Sequence, residues 1–327
     1  MIPLLSVHDL ETAFFPEEGT VRAVRGVSFE LEAGETLGLV GESGCGKSVT
    51  ALSIMRLLPP SGRIVAGRVE LEGADLVAAS RRALQRIRGK HIAMVFQDSM
   101  TSLNPLLTVG RQISESLETH LGFSGREASR RAIELLEEVG VPEPARRLKQ
   151  FPHQLSGGLR QRVAVAIALA PNPEVLIADE PTTALDVTIQ AQLLELLRRE
   201  QAERRMAVIL ITHDLGVVAG MADRLCVMYA GRIVEEGSTE VVFASPRHPY
   251  TLGLLQSVPR IDGEVTLRLP SISGTPPPMW ALPSGCPFRP RCPFAFERCE
   301  REDPPLEALE DRGHAAACFA DVREVAR

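Results

Sequence analysis

Three short, largely apolar runs are spaced along the first two thirds of the chain, and each ends in a burst of polar residues. Thr36–Val40 leads into Gly41-Glu42-Ser43-Gly44-Cys45-Gly46-Lys47-Ser48, Val175–Ala178 into Asp179-Glu180-Pro181, and Ala207–Ile211 into Thr212-His213-Asp214. Apolar runs this short, bounded by polar residues, predict buried strands of a parallel sheet. His91–Phe96 predicts a further strand, with Gln97 directly after it. Helix-compatible stretches alternate with the strands: Val49–Leu58, which stops at Pro59-Pro60, and Val163–Ala170, built of good helix formers. Alternating strands and helices predict an α/β fold. In an open parallel sheet, ligands collect beyond the carboxyl ends of the strands, so all three polar bursts point to one rim.

Length and charge narrow the picture. The 327 residues are 44% hydrophobic and 24% charged, with 36 basic against 42 acidic side chains. That predicts an ordinary globular protein of about two domains. A net charge of −6 does not indicate a broadly basic nucleic-acid-binding surface. No apolar run reaches the roughly 18 residues of a membrane-spanning helix, and the start, Met1-Ile-Pro-Leu-Leu-Ser-Val-His-Asp, lacks the sections of a signal peptide. A soluble cytoplasmic chain is expected, with any membrane link made through a partner.

Gly41–Ser48 fits the phosphate-binding pattern G-x-x-x-x-G-K-[ST] in its strand–loop–helix setting. Glycines let the backbone N–H groups face phosphate oxygens, and a helix N-terminus adds positive potential. Lys47 then reaches the β- and γ-phosphates and the Ser48 hydroxyl sits on Mg²⁺. A chance match in a chain of this length is on the order of 1%. Phosphate binding is the stronger reading. Asp179-Glu180, delivered at the end of a buried strand, suits a metal-linked aspartate followed by a catalytic base. A histidine in isolation is more often structural, but His213 follows a matching strand.

Leu155-Ser156-Gly157-Gly158-Leu-Arg-Gln-Arg162 precedes the apolar helix; Ser156 can cap it, and the Gly157-Gly158 amides can approach an anion closely. With this segment 19 residues before Asp179, the sequence resembles the ATP-binding-cassette (ABC) ATPases, whose signature is LSGG. The resemblance covers about residues 5–240. Gln97 resembles the Q-loop glutamine, Ala184-Leu185-Asp186 the D-loop and His213 the switch histidine.

This resemblance implies a P-loop core with a mostly parallel sheet, an antiparallel β subdomain and a helical subdomain at about 104–170. Two such domains dimerise head to tail, with each ATP between one phosphate loop and the opposite signature. It further implies that Gly41, Ser43, Gly44, Cys45, Gly46, Lys47, Ser48, Val49, Gln97 and Asp186 surround ATP. Ser48, Gln97 and Asp179 hold Mg²⁺. Glu180 polarises water, His213 supports the γ-phosphate, and Ser156, Gly157 and Gly158 act on the partner's nucleotide. Phe14 resembles the adenine-stacking aromatic, with Phe15 as the alternative. Cys45 stands where serine is common, and Leu159 where methionine is.

The last part of the chain differs in composition. Of six cysteines, Cys45 and Cys226 lie far apart, whereas Cys286, Cys292, Cys299 and Cys318 crowd into one stretch together with Pro276-Pro277-Pro278, Pro283, Pro287, Pro290 and Pro293. So much proline predicts a loop-rich extension, 241–327, after a cassette at 1–240. In a reducing compartment clustered thiols more often bind metal than pair. Tetrathiolate sites suit zinc or an iron–sulfur cluster, and His314 could replace one ligand; otherwise it is an exposed loop histidine. No C-x(2–4)-C pair of a zinc knuckle is present.

Residues 244–259, Ser102-Leu-Asn-Pro105, Thr108-Val-Gly110, Pro181–Gln190 and Leu282–Cys292 resemble the dipeptide, oligopeptide and nickel importer ATPases over nearly the whole chain. The resemblance implies a [4Fe–4S] cluster on all four cysteines. It implies as partners two transmembrane permease subunits, a second ABC ATPase (often a non-identical homologue, with a second copy of this chain as the alternative), and indirectly an extracytoplasmic substrate-binding protein. The place implied is the cytoplasmic face of the membrane, with coupling through Gln97–Pro105 and the helices to about residue 150. Peptide is the implied cargo; nickel or another small solute is the alternative. An ABC ATPase acting on nucleic acid or ribosomes is the competing class, against which stand the single cassette and the acidic balance.

Overall fold

The computed structural model describes residues 3–17, 19–97, 102–182, 186–258, 272–309, 313–320 and 322. In chain order the first elements are β1 (Leu5–Phe14), β2 (Val21–Leu31), β3 (Thr36–Val40), α1 (Lys47–Ile54), β4 (Gly62–Leu71) and β5 (Ala74–Asp75). There follow α2 (Arg81–Ile87), β6 (Ile92–Val95), α3 (Val109–Leu121), α4 (Gly125–Glu138), α5 (Pro144–Arg147), α6 (Gly157–Leu169), β7 (Val175–Asp179), α7 (Val187–Arg204) and β8 (Ala207–Thr212). The last are α8 (Leu215–Met221), β9 (Arg224–Tyr229), β10 (Arg232–Ser238), α9 (Thr239–Ala244), α10 (Pro249–Gln256), α11 (Arg298–Arg301), β11 (Glu307–Ala308) and β12 (Ala315–Ala316).

Two compact units result. The first comprises Met1–Leu31, Thr36–Val77 and Ile211–Arg327; the second comprises Glu32–Glu35 and Ala78–Leu210. In the first unit β2-β1-β4-β5 form an antiparallel sheet, and the run β11-β12-β10-β9-β3 joins a parallel β3/β9 pair to antiparallel neighbours. From Val27 to Leu31, β2 alternates buried positions with more exposed ones, as a strand with one wet face does. β3 is buried at every residue, as parallel strands covered on both faces are. Its core continues through Val40, Leu225, Val227, Tyr229 and Val234 to Tyr250 and Phe288, so residues far along the chain pack on the strand that feeds the phosphate loop.

In the second unit β7 pairs in parallel with β6, and both are wholly buried. α3 and α4 pack on each other and on α6 through Val109, Ile113, Leu117, Ala128, Ala132 and Leu135. Thr108 caps α3 by accepting from the Arg111 N–H at 3.3 Å, and the Ser124 N–H donates to Glu127 Oε2 at 2.9 Å at the start of α4. α1 is shorter than the apolar stretch predicts. It ends because Arg56 turns left-handed (φ 49°) and the Leu57 N–H closes back on the Leu52 carbonyl at 2.8 Å, before the prolines are reached. Among the described residues no helix is long and apolar enough to cross a membrane.

Residues 272–309 and 313–320 are held in the first unit by a few polar anchors rather than by long elements. β12 adds to β10 through Ala316 opposite Glu235. The fully buried Glu235 carboxylate accepts from the Arg247 N–H (2.6 Å), the His248 N–H (2.9 Å) and His314 Nε2 (2.8 Å). Asp303 receives Arg232 at 2.6 Å and Arg25 at 3.3 Å. Three hydrogen bonds on one buried carboxylate offset its loss of water.

Candidate nucleotide site

In the first unit the chain leaves β3 at Val40, turns through Gly41–Gly46 and enters α1 at Lys47. Two of the glycines are required by their surroundings. Gly41 has φ +151° and Gly46 has φ +110°. A Cβ on the former would lie 2.3 Å from the Met228 carbonyl oxygen, and one on the latter 2.5 Å from that of Ala23. No side chain caps α1, because its N-cap is Gly46. A helix N-terminus without a side-chain cap can serve as a cradle for an anion.

The buried Lys47 amine donates to the carbonyls of Gly41 (2.7 Å) and Glu42 (3.0 Å), holding it inside the loop. Ser43 and Gly44 are exposed, and Ser48 and Val49 half-buried. Burial pushes the Cys45 thiol up despite Lys47 beside it, so this position stays neutral. An uncapped helix start, a buried ammonium and a glycine backbone fit a polyphosphate.

Further contacts come from distant segments of the same unit. The Gly231 N–H donates to the Cys45 carbonyl at 2.9 Å, and the Arg25 N–H to the Gly231 carbonyl at 2.8 Å. The Glu42 N–H donates to the Tyr250 hydroxyl at 2.7 Å, and Arg291 grips the Glu42 carboxylate with both terminal nitrogens, at 2.6 and 2.9 Å. Sequence reasoning missed Glu42, Tyr250 and Arg291. The partners of Glu42 lie 208 and 249 positions away, and no local pattern signals them.

Phe14 lies half-buried between Val21 and Gly62, its ring where a Gly62 side chain would go; Phe15 is covered by the Arg63 guanidinium, 4.0 Å from the ring centre. His213 is exposed between two local anchors: Thr212 Oγ1 accepts from the Asp214 N–H at 3.0 Å, and Asp214 caps α8 through the Gly216 N–H at 2.8 Å.

The second unit carries the carboxylates and the signature. Asp179 is buried at the end of β7 and Glu180 follows in the left-handed region (φ 48°), a conformation a glutamate rarely adopts. The Gln97 amide donates to Glu180 Oε2 at 3.0 Å, so two of the sequence-predicted residues, 83 positions apart, do meet. Carboxylate and amide oxygens are the hard donors that Mg²⁺ takes. Ser156 and Gly157 are exposed at the start of α6, and the Leu159 N–H donates to Ser156 Oγ at 3.4 Å. A Cβ on Gly157 would meet nothing within 4 Å. Asp186 caps α7 by accepting from the Ile189 N–H at 2.9 Å. Ala184 and Leu185 lie outside the described residues.

The cluster expectation needs correction. Cys286, Cys292, Cys299 and Cys318 line one small cavity with Phe288 and Phe294, and none of the described cysteines is in a disulfide. Yet no group of three or more His, Cys, Asp or Glu among the described residues is placed to hold a metal ion, so neither the [4Fe–4S] cluster nor zinc is supported. Burial in this apolar wall pushes the Cys286 thiol up, and those of Cys292 and Cys318 up to about 11. His314 is neither a fifth candidate ligand nor an exposed loop residue: it is buried against Glu235.

Residues 24–183 match the ABC transporter family, and residues 234–299 match the oligopeptide/dipeptide transporter C-terminal region. A dipeptide transport ATP-binding protein of Bacillus subtilis is 52% identical over 98% of this chain and 95% of its own. An oligopeptide transport ATP-binding protein of Salmonella typhimurium is 50% identical over 98% of this chain and 95% of its own. A solved ATP-binding cassette, a post-hydrolysis dimer bound to ADP and Pi, has a TM-score of 0.66 and 30% identity, covering 72% of this chain and 98% of that one. With identities of this order over nearly the full length of both chains, this chain belongs to the ABC transporter family, among the ATP-binding subunits with the oligopeptide/dipeptide transporter C-terminal region.

Proposed function

We propose that the chain is the ATP-hydrolysing subunit of a peptide importer, coupling ATP binding and hydrolysis to uptake of dipeptides or oligopeptides through membrane subunits. The observation that carries this reading is the 52% identity to a dipeptide transport ATP-binding protein over 98% of the chain, running through cassette and C-terminal region alike. Residues 1–240 form the cassette, with the helical part at about 104–170. Residues 241–327 form the cysteine-containing, loop-rich extension.

Lys47 and the amides of Gly41, Ser43, Gly44, Cys45, Gly46 and Val49 hold the phosphates of ATP, and Phe14 stacks on adenine. Ser48, Gln97 and Asp179 would hold Mg²⁺, which when bound would neutralise charge developing on the phosphate oxygens. Glu180 accepts a proton from the attacking water as its oxygen bonds to the γ-phosphorus and the bond to the bridging oxygen breaks. The Gln97 amide at 3.0 Å supports this role, because it fixes one oxygen of the base. His213 supports the γ-phosphate. Ser156, Gly157 and Gly158 serve the nucleotide of a second ATPase subunit in a head-to-tail dimer, which the open space beside Gly157 accommodates. Asp186 lies at the same interface. The subunit sits on the cytoplasmic face of the membrane with two permease subunits and a homologous ATPase, and works with an extracytoplasmic binding protein.

The test is affinity purification from detergent-solubilised membranes with identification of each co-purifying chain. Two polytopic subunits and a second ABC ATPase are expected. Recovery only from the soluble fraction, with ribosomes or DNA, would overturn the transport assignment.

A further inference from the structure

We infer that Arg291, in the C-terminal extension, is a positioning residue for ATP binding, acting on the phosphate loop through Glu42. The inference rests on the reading of Gly41–Ser48 as the ATP-phosphate loop.

Every polar end of Glu42 is engaged. Its carboxylate takes both terminal nitrogens of Arg291 (2.6 and 2.9 Å) and its N–H donates to the Tyr250 hydroxyl (2.7 Å). Its carbonyl accepts from the Lys47 amine (3.0 Å). The extension thus grips Glu42 through its carboxylate and N–H, while Lys47, the residue that must meet the phosphates, is held by its carbonyl. A shift of Glu42 moves the seat of the lysine.

Arg291 is built to hold still. Its side chain is 3% exposed, against 28% for Glu42, so the pair is not a solvent-screened surface bridge. Nε donates to the Ser273 carbonyl at 2.9 Å, which fixes the plane of the fork. The residue closes the 3₁₀ turn Arg289–Arg291, its own N–H bonded to the Phe288 carbonyl at 2.9 Å. Tyr250 is fixed too, its ring 4.7 Å from that of Tyr229 and 5.5 Å from that of Phe288. A bidentate arginine–carboxylate pair carries geometric specificity that a lysine cannot supply. The extension acts as a strut behind the loop.

The test is equilibrium titration of the full-length chain with ATP in EDTA, so that no hydrolysis intervenes, with thermal unfolding of each variant recorded alongside. Arg291→Ala should weaken ATP roughly tenfold, the size expected of one lost charge-assisted hydrogen-bonded pair. Arg291→Lys should recover only a minor part. Tyr250→Phe, which keeps the ring, should weaken ATP by roughly threefold, the size of one neutral hydrogen bond. Combined with Glu42→Ala, Arg291→Ala should add nothing further, since both act through one contact.

Unchanged ATP affinity in Arg291→Ala, with a lowered melting temperature only, would overturn the inference and leave a structural staple. Full additivity with Glu42→Ala would also overturn it. Should Arg291→Ala not fold, Glu42→Gln breaks the fork from its more exposed side, and unchanged ATP affinity there would overturn it equally. Lys47→Ala separates the two readings: retained ATP binding in that variant would mean that the loop assignment itself has failed, whatever Arg291 does.

Discussion

The phosphate loop and the signature segment are both short glycine-bearing turns into a helix, yet they are held in opposite ways. The loop is shaped from outside: Ala23 and Met228 bar side chains at Gly46 and Gly41, Gly231 donates to Cys45, and Tyr250 and Arg291 hold Glu42. The signature is shaped from within, by the Ser156 cap and by Arg160 Nε donating to the Pro152 and Leu155 carbonyls at 2.8 and 3.1 Å. Gly157 faces open space. A cradle that must fit phosphates without rearranging needs a rigid wall behind it. A surface that meets a nucleotide held elsewhere needs only to be presented.

The largest expected effect breaks catalysis without touching either turn. Glu180→Gln should lower ATP turnover about 10²- to 10⁴-fold, the span of a lost general base, and leave ATP affinity unchanged. Parallel assays of turnover and binding check this, and turnover at the unmodified rate would remove Glu180 from its role. Next comes the hub that docks the extension behind the loop. Glu235→Ala strands the Arg247 and His248 N–H groups and His314 in a buried place. It should cost about 3–5 kcal/mol of stability, as broken buried charged networks do. Denaturant unfolding with an unshifted midpoint would show that the extension is docked by other means.

How much of this contrast was legible in the sequence follows from the distance over which each turn is held. The signature was readable because its cap, glycines and helix are neighbours. The loop glycines were readable as a motif, but not their backing, since Arg291 and Glu42 are 249 positions apart. His314 shows the same limit: spacing from Cys318 offered it as a ligand, whereas the fold gives it to Glu235, 79 positions away. Spacing likewise brought four cysteines to one cavity wall but could not say whether they close on an ion. The apolar strands β3, β7 and β8 were the surest part, since burial on both faces leaves little choice of residue.

A smaller effect concerns acid. Burial holds His248 neutral, down at about 4 against an ordinary 6.5. Its Nδ1 accepts from the Tyr250 N–H at 3.0 Å. Between those two values the unfolded chain binds a proton that the folded chain refuses, so stability is complete above about 6.5 and falls as pH drops towards 4. At most on the order of 3 kcal/mol is lost. Melting curves at pH 7 and 5 should separate more for the unmodified chain than for His248→Asn; equal separations would count against it. The smallest effect sharpens the other half of the contrast. Ser156→Ala should cost about 1 kcal/mol through its cap and leave ATP binding by the single chain untouched. A loss of affinity there would place the signature beside its own nucleotide rather than a partner's.

The most direct test of the whole account is uptake by the complete transporter. It would be reconstituted in liposomes with its permease subunits, second ATPase and binding protein, and supplied with ATP on the ATPase side. Radiolabelled peptide should accumulate only with ATP and with loaded binding protein, and Glu180→Gln should stop accumulation while ATP remains bound. ATP hydrolysis indifferent to peptide-loaded binding protein, with no peptide accumulated, would contradict the account.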